Sequence, residues 1–427
     1  MATGQSVQGL LSAVPQCAAL CAESLFPSST CAPTDLACIC ADASLVTRIE
    51  QCNSANCTVI EALRAVNLTE KACGVMPKNT SHTYIIVTSI FMALAVVFYL
   101  IRLSVRPPLT PGFRVDDGIM MVATLGVVVF TSINFQAAHL GLGQDLWNVP
   151  PDNIDIVLKN FFIGEFLYIF ISVLTKLAVL SFYLAVFPQP HFRKGAYVVI
   201  GLCIGYFVSY MFVLGFECTP VAFFWEQWRD PTAGTCININ AGGWAAAGIN
   251  IGLDLAILAL PVPVILQLEI SRQQKLQILS MFGVGSFVTV VSCIRLQSLI
   301  NFAKNSNLTF YLQPISIWSS IELDISIVCA CMPAARLFLQ RTWPSRFGTS
   351  KSQAGAYTRQ PSTFDAPHHQ SQLSGRLARD YSVKSANANV SQPRWDNNDV
   401  ELMESDGWRG ASRTCAAYVP TTDARHY

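Results

Sequence analysis

Charge is what this chain has least of. Only 13% of its 427 residues are Asp, Glu, Lys or Arg, against 52% that are hydrophobic. Soluble domains run near a quarter charged. A mean hydropathy of +0.40 cannot be hidden inside a globule of this size. The net charge of +1 excludes a nucleic-acid partner, which needs a basic surface to replace counterions. Histidine is scarce at six. No Ser-His-Asp constellation, phosphate-binding glycine loop or metal cluster stands out, so no catalysis is expected. Repeats with a period of about 20–50 residues are absent. Residues 1–16 also lack the charged start and continuous apolar core of a signal peptide. Either the first apolar run acts as a reverse signal-anchor, or the natural start of the chain lies elsewhere.

Cysteine is the opposite case. Eight of the fifteen fall within the first 73 residues, which points to an oxidising compartment for that end. The composition then shifts twice. Residues 1–80 form a cysteine-dense head, and residues 84–340 are a succession of apolar runs. Residues 341–427 hold nine Leu, Ile, Val or Phe in 87 positions, too few to bury a core, and are expected to be a disordered tail. The expected fold is all-α: a disulfide-stapled helical head, a seven-transmembrane helix bundle and the tail.

The seven runs cover about residues 84–101, 117–138, 161–187, 195–217, 243–266, 276–300 and 314–339, each long enough for a bilayer-crossing helix. Pro261, Pro263 and Pro333 fall near span ends, where a kink is tolerated. Orientation follows from the connections. With the N-terminus outside, the inner connections carry Arg102, Arg106, Arg114, Arg193, Lys194, Arg272 and Lys275. The outer ones carry Lys159, Arg229 and Lys304. Seven against three satisfies the positive-inside rule. The glycosylation sequons at Asn56, Asn67, Asn79 and Asn307 then lie outside, and the one at Asn389 lies inside and stays bare. The expectation is a multi-pass plasma-membrane protein with an extracellular N-terminus and a cytoplasmic C-terminus.

The head's cysteines are Cys17, Cys21, Cys31, Cys38, Cys40, Cys52, Cys57 and Cys73. Eight cysteines allow about 105 pairings, so counting alone decides nothing. Geometry prunes them. Cys17 and Cys21, spaced i,i+4, share a helix face, and Cys52 and Cys57 sit about one and a half turns apart on another. Antiparallel helices would be stapled as Cys17–Cys57 and Cys21–Cys52. Cys31–Cys38 closes a short loop across Pro33, leaving Cys40 for Cys73. A zinc site is the weaker reading, because the head has no Cys-x2-Cys knuckle and its nearest histidine is His82.

In number, order and spacing these cysteines resemble the CFEM domain of fungal extracellular and membrane proteins, over about residues 12–75. The resemblance implies the same nested pairing. In secreted members an aspartate just before the fourth cysteine ligates ferric haem, and Asp35 of Thr34-Asp35-Leu36-Ala37-Cys38 occupies that position. A carboxylate suits ferric iron as a hard donor. Asp35 equally reads as the cap of a helix over Leu36–Ile39. Both readings stand: a receptor head, or a haem- and iron-binding surface protein.

The apolar part resembles the fungal rhodopsin-like membrane family, over about residues 84–340. The resemblance rests on Asp116-Asp117, Glu165-x2-Tyr168-x7-Lys176, Phe216-x-Cys218-x-Pro220 with Cys236, Asp254 before Leu-Pro-Val-Pro, Gly283 with Arg295, and Glu322 before Cys331-x-Pro333. It implies a surface-sensing receptor of the G-protein-coupled type, in some members tied to infection of hosts. A retinal pigment is excluded, because residues 314–339 hold no lysine for a Schiff base. Asp-Arg-Tyr and Asn-Pro-x2-Tyr are also missing, so coupling to a heterotrimeric G protein rests on analogy. The tail serves equally as a phosphorylation or adaptor-docking segment. The expected partners are the bilayer and an unidentified extracellular ligand or surface.

Outside the head, Cys218 and Cys236 are expected to form a bridge across an outer loop. Trp225 and Trp228 in that loop read as interfacial anchors. His139 reads as interfacial too. Charges within spans cost several kcal/mol and normally need partners. Glu165, Lys176, Asp254, Arg295, Glu322 and Asp324 are the candidates for a ligand pocket, a switchable ion pair or a fixed structural pair. Depth suggests that Arg295 pairs with Glu322, and that Lys176 meets a carboxylate or snorkels toward the inner face. Asp116-Asp117 beside Arg114 read as a cap on the second span.

Overall fold

The computed structural model of the protein describes residues 13–32, 35–108, 113–267 and 272–342, with side chains undescribed from 265 to 280. The tail and Asn389 lie outside the described residues, as does Pro33.

Among its described residues the head has four α-helices: α1 Gln16–Leu25, α2 Leu36–Ala41, α3 Ala43–Asn56 and α4 Val59–Ala72. Each of the last three starts at a side-chain cap. Asp35 Oδ1 accepts from the Cys38 N–H at 3.1 Å and Asp42 from those of Ser44 and Leu45. Thr58 and Glu61 form a reciprocal capping box on α4. Capping matters here because helices this short are marginal alone. Disulfides supply the rest. Cys17–Cys57 and Cys21–Cys52 join α1 to the end of α3, Cys31–Cys38 closes the loop before α2, and Cys40–Cys73 joins α2 to the end of α4.

Among the described residues, seven helices long and apolar enough to cross a membrane follow. They are α5 Ser81–Val105, α6 Val115–Leu140, α7 Pro151–Val186, α8 Pro190–Gly215, α10 Ile239–Ala259 continuing into α11 Val262–Gln267, α12 Arg272–Ala303 and α13 Leu308–Thr342. Pro151 and Pro190 open α7 and α8, where a missing N–H costs nothing. Pro261 falls between α10 and α11 and interrupts the helix there. Pro314 and Pro333 lie inside α13, whose neighbours enclose it. Outward faces are apolar, with Ile90, Leu125, Val198 and Phe212 all exposed. On α13, 72% of the apolar window is buried, so this last span is the centre of the bundle.

Every span starts before the apolar run that marks it, α7 and α13 by the most. Helix α7 starts at Pro151 rather than near 161, and α13 at Leu308 rather than 314. Hydropathy marks the part in hydrocarbon, whereas a helix continues until its hydrogen bonding is interrupted. The all-α expectation also meets one small exception. Cys218–Thr219 (β1) and Thr235–Cys236 (β2) pair antiparallel beside the Cys218–Cys236 disulfide, with the short helix α9 Phe223–Glu226 between them.

Candidate functional site

A stair of polar side chains descends the middle of the bundle. On α7, Tyr168, Ser172 and Lys176 recur at i,i+4 and so share one face, as do Asn250 and Asp254 on α10. Lys176 Nζ lies 2.8 Å from Asp254 Oδ1 and 3.1 Å from Ser172 Oγ. Ser172 donates to Asn250 Oδ1 at 3.0 Å. Asn250 donates to Glu322 Oε1 on α13 at 2.7 Å, and the Tyr168 hydroxyl donates to the same oxygen at 2.8 Å. Above Tyr168, the Arg295 guanidinium carbon lies 3.9 Å from the ring centre, and its Nε donates to Ser319 at 2.8 Å. Four spans thus meet through one chain of side chains.

The expected charges sort unevenly. Lys176 finds a carboxylate, Asp254, and does not snorkel. Arg295 and Glu322 form no direct ion pair among the described residues. Tyr168 stands between them, its ring under the cation and its hydroxyl on the carboxylate. Depth along two helices put the charges at one level but said nothing about the ring packed between. Asp324 is fully buried, with neither carboxylate oxygen hydrogen-bonded. Two positions after Glu322, it points around the helix away from the network. Glu165, half-buried one turn above Tyr168, lines a cavity of about 430 Å³ at the head end of the bundle with Phe161, Phe224, Trp244 and Leu299. Tyr168, Ser172, Asn250 and Ser319 supply the network's neutral bonds, and sequence reading missed all but the first. The detectable signal was polar residues at i,i+4 within apolar spans.

A second ionic cluster sits at the tail end. Arg102, counted among loop cations from sequence, is 3% exposed. Its guanidinium reaches Asp116 at 2.5 Å and Asp117 at 2.7 Å, and donates to the Ala330 carbonyl at 2.7 Å. Arg106 and Arg114 reach Asp116 as well, at 3.5 and 3.2 Å. Asp117 does cap α6, accepting from the Arg114 N–H. The larger role of both aspartates is to lock α5 and α6 to α13.

A third group joins the head to the bundle. Asn67 on α4 donates to the Trp147 carbonyl at 2.7 Å and to Asn148 Oδ1 at 2.6 Å, and the Trp147 indole donates to Glu70. Val59 and Leu63 pack against the same loop cluster. Asp145, 3% exposed, accepts from Asn307 at 2.8 Å and from the Lys78 N–H at 2.9 Å. The Gly143 N–H donates to the Thr309 carbonyl, and Thr80 bonds both Gly143 and Gln313. Gly143 has φ +88°, and a Cβ there would sit 2.9 Å from the Gln313 side chain. Only glycine suits the position.

This junction bears on the sequons. The amide nitrogens of Asn67 and Asn307 are hydrogen-bonded inside it. That of Asn56 donates to the Cys52 carbonyl. Asn79 is exposed with its nitrogen outside these contacts. Trp228 also departs from expectation: it is 8% exposed and donates to Asp155 at 2.8 Å, so it is a core residue rather than a lipid anchor. Trp225 is half-buried against Phe162, with Lys159 over its ring. His139 is exposed at the end of α6. Near the junction of α8 and β1, Glu217 is buried, and burial pushes its carboxyl up to about 7.

One Asp35 oxygen caps α2, and the apolar cavity between α1, α2, α3 and α4 is lined by its neighbour Leu36 rather than by Asp35 itself. The carboxylates that do line it, Glu23 and Glu50, would oppose the propionates of a haem.

A cysteine-stapled helical head on a bundle of seven apolar helices defines a multi-pass membrane protein. The chain belongs to the fungal rhodopsin domain family, which it matches over residues 101–341, and residues 10–74 match the CFEM domain. It is similar to a SAT4 family membrane protein of Emericella nidulans, 29% identical over 49% of this chain and 53% of that protein. It is also similar to Receptor GIN3 of Arthrobotrys oligospora, 22% identical over 60% of this chain and 64% of that one. A third relative is Fugralins biosynthesis cluster protein 2 of Gibberella zeae, 26% identical over 46% and 50%. The chain thus spans about half to two thirds of the length of these relatives. No solved structure matches it.

Proposed function

We propose that the protein is a cell-surface receptor of the plasma membrane, with its head outside the cell and its C-terminus inside. The observation that carries this reading is the unbroken hydrogen bonding from α4 of the head, through Thr80 and residues 143–148, to Asn307 just before α13 and Thr309 and Gln313 within it. That helix also holds Glu322 in the central network and, through Ala330, the Arg102 cluster. A cue that displaces the head thereby pulls on the span that carries both Glu322 and the Ala330 carbonyl. The inner connections and tail would then report to a heterotrimeric G protein or an adaptor. The basic-residue count and the exposed Asn79 sequon support the orientation. The likeness to a protein named as a receptor supports the role. Sensing of a host surface, with a link to virulence, is the finer form of this reading and rests on the family resemblance. No catalytic step is part of it.

The test compares the full chain with a chain ending at residue 342 in cells lacking the native protein. Head display is measured by antibody added to intact cells, and signalling by the transcriptional response to a panel of extracellular cues. The expected result is equal display with the response lost. A response that survives tail removal would place the reporting on the inner connections alone, and a full chain displayed normally but silent to every cue would make the protein an adhesive or structural surface component instead.

A further inference from the structure

The cavity at the head end of the bundle, about 430 Å³, falls within the range of small-molecule sites, about 300–1,000 Å³. Gln227, Asn240, Asn305 and Ser306 give it a polar mouth, and the last three of these are exposed. Its walls are apolar and largely aromatic, with Phe161, Phe224, Trp244, Leu299 and Phe302. Leu158, Phe161 and Glu165 recur at i, i+3 and i+7 on α7, so one face of that helix runs down the chamber. Seven residues of helix span about 10 Å. Of the α7 residues in the wall, Glu165 lies farthest in.

Glu165 is also the only charged residue in this lining, which holds no Lys, Arg or His. Its carboxylate accepts no hydrogen bond and forms no ion pair among the described residues. Glu322 Oε2 and both oxygens of Asp324 are unpartnered too, but they are sealed in the packing, whereas the Glu165 oxygens stay accessible. Arg295 does not answer this charge. It lines a separate space of about 20 Å³, room for one water, which Glu165 also borders. Its own contacts are with the Tyr168 ring and Ser319. Lys176 is taken by Asp254. In this part of the bundle two cations, Lys176 and Arg295, thus meet three carboxylates, Asp254, Glu322 and Glu165. One positive charge is missing, and a charge within a span normally has a partner.

We propose that this chamber binds a small aromatic amine, its ammonium group on Glu165 and its ring among Phe161, Phe224 and Trp244. An ammonium ion supplies the missing charge, and the aromatic walls favour a cation further. A carboxylate ligand would meet Glu165 as a like charge, with no Lys or Arg in the wall to receive it. A neutral alcohol fills the space but leaves the charge unanswered. The inference deepens the receptor reading by giving the class of ligand, and rests on it only for what binding causes. Occupancy is measured without a signalling step, so an empty chamber leaves the receptor reading to the tail-truncation test.

The full chain in lipid nanodiscs is photolabelled with three probes that share an aryl diazirine on a propyl arm and differ in their end group: amine, alcohol or carboxylate. Adducts are located by mass spectrometry of proteolytic peptides. The expected result is labelling within residues 158–165, 224–244 and 299–315, with the amine exceeding the carboxylate roughly tenfold, as one partly desolvated ion pair supports. Glu165→Gln keeps the shape of the wall and should bring that ratio toward one, with alcohol labelling unchanged. Gly243→Phe should reduce all three, because Gly243 lines the chamber and a Cβ there meets nothing closer than Leu299 at 4.0 Å. Monodisperse elution and an intact Cys218–Cys236 bridge confirm folding of each variant, and Glu165→Gln suffices if Gly243→Phe fails to fold. Equal labelling by the three probes would overturn the proposal. So would adducts confined to lipid-facing residues, or a ratio unmoved by Glu165→Gln.

Discussion

The guanidinium of Arg295 rests on the ring of Tyr168, 3.9 Å from its centre, while the hydroxyl of that same ring holds Glu322. One tyrosine therefore links a buried cation to a buried carboxylate that it keeps apart. Stacking and hydrogen bonding can be separated by mutation. Tyr168→Phe keeps the ring and loses the bond to a charged acceptor, an expected cost of about 1.5–3 kcal/mol. Tyr168→Leu loses both, and a desolvated cation–π contact adds about 2 kcal/mol more. Thermal unfolding in nanodiscs should place the two variants in that order. Equal losses would mean the ring is a spacer only.

Lys176 and Asp254 test whether a buried pair acts as a unit. Lys176→Met strands the carboxylate, and an expected cost of about 3–5 kcal/mol follows. Lys176→Met with Asp254→Leu removes both charges and should recover most of that loss. A double variant no better than the single would show that Asp254 is held by other groups.

Arg102 is expected to be irreplaceable by lysine. Its planar fork reaches Asp116, Asp117 and the Ala330 carbonyl together, which a point charge cannot do. Arg102→Lys and Arg102→Met should both lower the yield of folded protein at the cell surface. Normal display of Arg102→Lys would reduce the cluster to simple charge balance.

Asp35 is expected to behave as a cap. Asp35→Ala should cost the head about 0.5–2 kcal/mol, and Asp35→Asn much less, since Asn caps as well. Ferric haem titrated into the full chain provides the counter-test. A Soret shift abolished by Asp35→Asn would assign the residue to iron.

Glu217 gives a pH dependence of known sign. Burial raises its folded pKa to about 7 from an ordinary value of 4.5. The folded state then holds the proton where the unfolded state has released it. Stability from this group is complete below pH 4.5 and is lost as pH rises toward 7. Melting temperature should fall across that window and level off above it. Glu217→Gln should flatten that part of the profile and be the more stable form at pH 8.

Much of this architecture was legible without coordinates. Seven apolar runs, the eight-cysteine spacing and the cap at Asp35 are local signals, because span length, helix periodicity and N-cap chemistry depend on neighbours in sequence. The charges that matter within the spans could be named for the same reason: in an apolar run a Lys176 or a Glu322 stands out at once. Their partners could not. That Lys176 meets Asp254, that Tyr168 divides Arg295 from Glu322, and that Arg102 leaves its loop to bind Asp116 and Asp117 depend on how helices rotate and cross. Trp147 was an unremarkable loop residue, and Asn307 read only as a sequon, until folding brought them into the junction with the head. The sequence by itself determined which segments enter the membrane and which cysteines can reach each other. Only the tertiary structure decided which buried charges are satisfied, because pairing is a property of the space between helices and no single helix encodes it.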